Sequence, residues 1–281
     1  ALFGEGLIRQ TPEGVECSLD ILGSIFFMLS RYEEAVLPDR DAHERFPAAS
    51  SVAGREGFLD RPIANEYVEL LWSIMKLLWP ELKRKQREFR LLVSHDVDSP
   101  FEVAGLPLCM VVRKAGSDTL RRASPGLAAG KLAAWAGSGL GFPALDRHYT
   151  FDYIMRESER RNLRSAFYFI AGHSAGEIDG RYHLQDAPIQ KILKAVHKRG
   201  HEIGLHTSYN TYLDERQTSG EANTLRAAIK QLGIQTEIRG GRQHFLRWST
   251  PQTFRNWAQA GMEYDSTLTY AERPGFRCGT C

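Results

Sequence analysis

From Tyr149 onward, helix-like and strand-like stretches alternate, and this alternation limits the fold more than any other feature of the chain. Helical spacing of apolar residues marks "FDYIMRESERRN", "DAPIQKILKAVHKRG", "GEANTLRAAIKQLG" and "PQTFRNWAQAG". Short apolar runs between them, "SAFYFIAG", "HEIGLHTS", "IRGGRQHFLRW" and "MEYDSTL", read as strands. Such a pattern predicts βα units around a parallel sheet or barrel, and the 281 residues suffice to bury its core.

In βα folds reactive groups gather at the carboxyl ends of strands. In "LLVSHDVDSP", Leu91 to Val93 read as a short buried strand. Side chains alternate faces along it, so Asp96 and Asp98 point one way and His95 and Val97 the other. Two carboxylates on one face raise each other's pKa unless a cation intervenes. "HEIGLHTSYN" ends in His206 with Asn210 four residues on, "RGGRQHF" offers Arg242 and His244, and "MEYDS" ends in Asp265. These are ingredients of a metal-dependent hydrolytic site, in which one Asp binds a cation while its neighbour serves as general base. The plainer alternative for "HDVD" is a strand-end turn. Asp265 is read either as a site residue ranking below Asp98 and His206 or as a turn or cap, and His173, His183, His197 and His201 as structural.

"GHEIGLHTSYN", Gly200 to Asn210, together with "HDVD" and "SAFYFIAG", resembles the polysaccharide deacetylase (NodB homology) family, carbohydrate esterase family 4. The resemblance covers roughly Phe89 to Cys281. It implies an α/β fold of the distorted (β/α) barrel type and hydrolytic removal of an N-acyl group, acetyl foremost, from a sugar of a polysaccharide or its precursor. By the same resemblance Asp96 is the base that activates metal-bound water, Asp98 and His206 are metal ligands, and Arg242 holds the base. Asn210 stands where a second ligand His is usual. Zn²⁺ is the metal the resemblance implies, but an amide oxygen binds it less well than imidazole, which opens the site to other divalent ions. The family's closing motif, with its general-acid His, has no match before Cys281, so either it lies further on or His244 substitutes for it.

Ala1 to Glu88 fall outside the resemblance and are expected to form a mainly helical accessory segment, 1–88, ahead of the barrel domain, 89–281. One helix is read in Cys17 to Glu34, capped at Ser18, with Leu22, Ile25, Phe26 and Leu29 facing the core. A second is read in "RPIANEYVELLWSIMKLLWPEL", stopped or kinked by Pro80, and the basic run "KRKQREFR" as a solvated linker. Residues 101–148, rich in Gly, Ala and Ser, lack a sustained amphipathic period and read as a flap beside the site. Cys278 and Cys281 form a lone CxxC, read as two ordinary thiols.

A formal net charge of +2 gives no reason to expect nucleic acid or a membrane surface as partner. No apolar stretch approaches the ~20 residues of a membrane-spanning helix, so the expectation is a soluble, cytoplasmic protein without a transmembrane segment that meets a carbohydrate. Two rival functions fit the same residues: a noncatalytic carbohydrate-binding member of the fold, and a hydrolase of another C–N amide such as a formamide or ureide.

Overall fold

The computed structural model describes residues 3–86, 88–140 and 142–281. Ala1, Leu2, Arg87 and Gly141, which belong to the accessory segment, the basic linker and the flap assigned above, lie outside the described residues. The chain is mixed α/β. It begins with strands β1 (Gly4–Thr11) and β2 (Gly14–Leu19), followed by helices α1 (Ile21–Leu29), α2 (Tyr32–Val36), α3 (Val52–Arg55) and α4 (Ile63–Leu78). The middle holds β3 (Val93–Val97), α5 (Leu108–Arg122), α6 (Pro125–Gly139), α7 (Phe151–Glu159), β4 (Ser165–Ile170), α8 (Ala187–Lys198) and β5 (Glu202–Thr207). It closes with α9 (Glu215–Gln231), β6 (Gly240–Gln243), α10 (Gln252–Gln259) and β7 (Tyr264–Asp265).

Packing divides the chain into two compact units, one of Ala1–Arg90, Tyr209–Gly220 and Arg239–Cys281, the other of Leu91–Ser208 and Glu221–Ile238.

In the second unit β3, β4 and β5 are parallel, with Val97 opposite Phe169 and Ile170 opposite His206. Central β4 is buried at all six positions, which is why "SAFYFI" is an almost unbroken apolar run. Helix α8 buries Ile189, Ile192, Leu193 and Val196, the i, i+3, i+4, i+7 stripe of an amphipathic helix. Strand β3 starts later than the sequence suggests: Leu91 and Leu92 are 54% and 87% exposed, and pairing begins at Val93. The ladder partners lie opposite 93–97, so two preceding apolar side chains do not extend it.

Residues 101–148 are not an irregular flap. They form a helical hairpin, α5 and α6, around Val103, Val111 and Ala134 with Leu106 and Trp135 packed alongside. Its base is fastened by Asp146, whose carboxylate accepts the backbone N–H groups of Glu102, Val103, Ala104 and His148. Burial works against this charge, but the four donors outweigh it and hold the carboxyl below its ordinary range.

The first unit adds an antiparallel hairpin, β1 with β2, to the helices expected at the N-terminal side. Cys17 to Leu19 belong to β2, and the cap of α1 is Asp20, which accepts from the Gly23 N–H at 2.8 Å, rather than Ser18. Helix α1 buries Ile21, Ser24 and Met28, while Leu22, Phe26 and Leu29 face outward and Ile25 is partly buried. Tyr67 and Ile74 of α4 meet Ile21 in one apolar cluster, and α4 ends at Leu78, just before Pro80. Beside these helices lies a buried ion network: Arg277 makes a two-pronged pair with Glu34 at 2.7 Å on each oxygen, and Arg31 pairs with Glu33 and Glu34. Burial opposes ionisation of Glu34, yet the two guanidinium groups win and hold its pKa down. Strands β6 and β7 are parallel in this unit, Gly241 opposite Asp265.

Candidate functional site

Strands β3 and β5 deliver three of the expected site residues to one place. The imidazole of buried His206 presents Nε2 3.2 Å from Asp98 Oδ1 and 3.9 Å from Asp96 Oδ2. Both carboxylates therefore lie on one side, as alternation along β3 requires, and His95 turns to the other, against Phe167 and the Ser165 hydroxyl.

Three features hold these strand ends. The Tyr182 hydroxyl donates to the Val97 carbonyl and accepts from the Ile170 N–H, both at 2.7 Å, tying the carboxyl ends of β3 and β4 together. Glu221 accepts from the Ser208 N–H at 2.8 Å and from its hydroxyl, fixing the chain just after β5. Gly180, at φ +77°, lies so close to the Asp98 carbonyl that a Cβ would fall 2.5 Å from its oxygen, so only glycine fits there.

Asp98 also borders a cavity of about 540 Å³, lined by Phe101, Glu102, Lys114, Arg181, Tyr182 and Pro188 among others. That volume is in the range of small-molecule sites. The hairpin thus contributes its base to the cavity wall.

The remaining expected residues belong to the first unit. Arg242 on β6 donates Nε–H to the Ser266 carbonyl at 3.1 Å. Asp265 accepts from the Thr267 N–H and hydroxyl at 2.8 and 2.5 Å, the turn geometry that is one of its two readings. Burial pushes its pKa up to about 6, against the opposing pull of Thr267, Arg242 and Arg277. His244 is buried, edge-on to Phe245 at 4.8 Å. Phe245 and Leu246 both have φ of +57°, two successive non-glycine residues in a left-handed conformation that is uncommon for residues with a side chain. Asn210 is exposed, and its Oδ1 accepts from Arg247 Nη1 at 3.1 Å.

Arg247 escaped the sequence reading. Its guanidinium lies between the Tyr209 and Tyr212 rings, 3.9 and 4.0 Å from their centroids, and donates to the carbonyls of His43 and Tyr209 and to the Tyr212 hydroxyl. Only the neighbouring aromatic residues in sequence hinted at such a clamp. His201, by contrast, is structural as expected: Nδ1 accepts from the Ser165 N–H and Nε2 meets Glu159. Cys278 and Cys281 are free thiols, and burial pushes Cys278 up to about 11.

Residues 2–80, the stretch from β1 through α4, match the model of a family of unknown function (DUF7033). Comparison with curated proteins and with solved structures gave no match.

Proposed function

We propose that the chain is a divalent-metal hydrolase that removes an N-acyl group, acetyl foremost, from a sugar. The observation that carries this reading is the convergence of Asp98 and Asp96 on one buried imidazole nitrogen. The donor set fits an ion: two ligands about 2.0–2.1 Å from a tetrahedral centre stand roughly 3.3 Å apart, and Asp98 Oδ1 and His206 Nε2 stand 3.2 Å apart. Asn210 is a poorer ligand than the motif alone suggests, because its amide oxygen is engaged by Arg247.

A divalent ion held there supplies Lewis acidity, which lowers the pKa of water and offsets charge building on a carbonyl oxygen. Asp96, the carboxylate further from His206, takes the proton from the attacking water as the C–O bond forms, and that proton passes to the amine nitrogen as the C–N bond breaks, releasing acetate and the free amino sugar. Asp98 and His206 are held in place by the Tyr182 and Glu221 anchors, so little reorganisation accompanies the reaction. The cavity beside Asp98 receives the sugar, and Phe101 and Pro188 give its ring an apolar wall.

The test is calorimetric titration of chelator-stripped protein with Zn²⁺, paired with acetate release from N-acetylated oligosaccharides. Asp98→Asn and His206→Ala should abolish ion binding. Asp96→Asn should keep the ion and lose roughly 10²–10⁴-fold in turnover, the usual cost of a lost general base. An Asp98→Asn protein that binds the ion as well as wild type would overturn the assignment. The engagement of Asn210 by Arg247 favours one rival, a noncatalytic carbohydrate-binding protein, and sugar binding without acetate release would select it.

A further inference from the structure

The α5–α6 hairpin carries its charge in a way that the whole-chain balance of +2 conceals. Residues 101–148 contain six basic side chains and three acidic ones, and every acidic one is turned inward. Asp146 caps backbone N–H groups at the hairpin base, and Asp118 and Glu102 both pair with buried Lys131, at 2.5 and 2.8 Å. The fully exposed charged groups are therefore all basic, Arg113, Arg121 and Arg122 on α5 and Arg147 beyond α6.

Large apolar side chains stand exposed among them. Leu108, Met110, Val112 and Leu120 project from α5, and Leu132 and Leu140 from α6 and its cap. Leu120 is 87% exposed and Leu140 77%. The outer face of α6 goes further: its one charged residue, Lys131, is buried, and each exposed position from Pro125 to Gly139 is Pro, Gly, Ala or Leu. A 15-residue helix is about 22 Å long, and a helix facing water normally presents charged or polar groups there.

We propose that this hairpin docks on the surface of a bilayer containing anionic lipids. Apolar side chains that water leaves unpaid enter the boundary between headgroups and acyl chains, while Arg113 and Arg121 meet lipid phosphates. Among the described residues of 101–148 no acid is fully exposed, which limits the repulsion that such a surface would otherwise meet. Among the described residues no helix is long and apolar enough to cross a membrane, so the hairpin lies on the surface rather than through it. This docking stands apart from the hydrolase reading.

The experiment floats the full chain with vesicles of phosphatidylcholine alone and of phosphatidylcholine mixed with phosphatidylglycerol. Binding should appear on the mixed vesicles and fade as salt is raised. At about 1 kcal/mol for each basic residue near an anionic surface, Arg113→Gln with Arg121→Gln should lower the partition coefficient about 30-fold. Leu132→Ser with Leu140→Ser should weaken it further, with circular dichroism and melting temperature matching wild type. Equal binding to both vesicles, binding to neither, or indifference to these substitutions would overturn the proposal. So would a concentration-dependent dimer that the leucine substitutions dissociate, which would assign the face to a second copy of the chain.

Discussion

Replacing Tyr182 with Phe removes a single oxygen from beneath the carboxylates, and its cost can be worked from two bonds. The hydroxyl holds the Val97 carbonyl and the Ile170 N–H at 2.7 Å each, and the ring is 7% exposed. Burial raises the phenol's pKa far above neutrality, so it serves as a neutral donor at any working pH. Leaving a buried polar group without a partner costs about 1–3 kcal/mol, and two are left here. Because Tyr182 borders the cavity, water can reach part of the gap, and the expected loss is about 2–3 kcal/mol. Urea unfolding of wild type and Tyr182→Phe, with equal slopes against denaturant, measures it. Val97 sits between Asp96 and Asp98, so the ion affinity proposed for them should fall in parallel. Tyr153→Phe, at a 61% exposed ring, should change neither quantity. A Tyr182→Phe protein within about 0.5 kcal/mol of wild type would refute the idea that this hydroxyl organises the strand ends.

Two further outcomes follow from buried charge. Arg277→Ala should destabilise the protein by about 3–5 kcal/mol, since it strands Glu34 in the interior beside Arg31 alone, and thermal melting would read a drop of many degrees; an unchanged melting temperature would deny the network its role. For Asp265, the folded pKa of about 6 lies above the ordinary value of 3.8, so the folded form binds the proton more tightly. Its contribution to stability therefore declines as pH rises from about 4 to about 6, and Asp265→Asn should flatten that stretch of the stability–pH curve, whereas an unaltered slope would contradict it.

What could be read from sequence was set by how cleanly each period stood out. Strands β4 and β5 and helices α7, α8 and α10 announce themselves because each buries one face or, for β4, both. Helix α1 was legible as a helix but not in its orientation: "ILGSIFFML" is apolar all round, so spacing cannot choose Ile21 and Met28 over Leu22 and Phe26. Strand β2 alternates Val15, Cys17 and Leu19 toward Ile21 and Tyr67, yet it runs directly into α1 and its short period-2 signal is absorbed by the helical one. The α5–α6 hairpin hid for a related reason, because Gly and Ala on an uncharged outer face leave little contrast with the buried side. At the site, the period of β3 brought Asp96 and Asp98 to one face, and their meeting with His206 followed from strand-end geometry. Tyr182 and Arg247 act on backbone carbonyls distant in sequence, and no spacing of residue types marks such a partner.

The Arg277–Glu34 pair also sets an order of events while the chain is being made. Arg31, Glu33 and Glu34 emerge early, but the guanidinium that completes their network belongs to a residue near position 280, as does the carbonyl that Arg31 grips. At ribosomal speeds of 5–20 residues per second, roughly 12–50 s separate the synthesis of Arg31 from that of Arg277. The other unit, whose last residue is Ile238, is fully synthesised before that closing segment appears. The nascent protein thus passes through a stage in which the strands bearing Asp96, Asp98 and His206 are ready to pair while three charged side chains near the amino terminus still await the fourth.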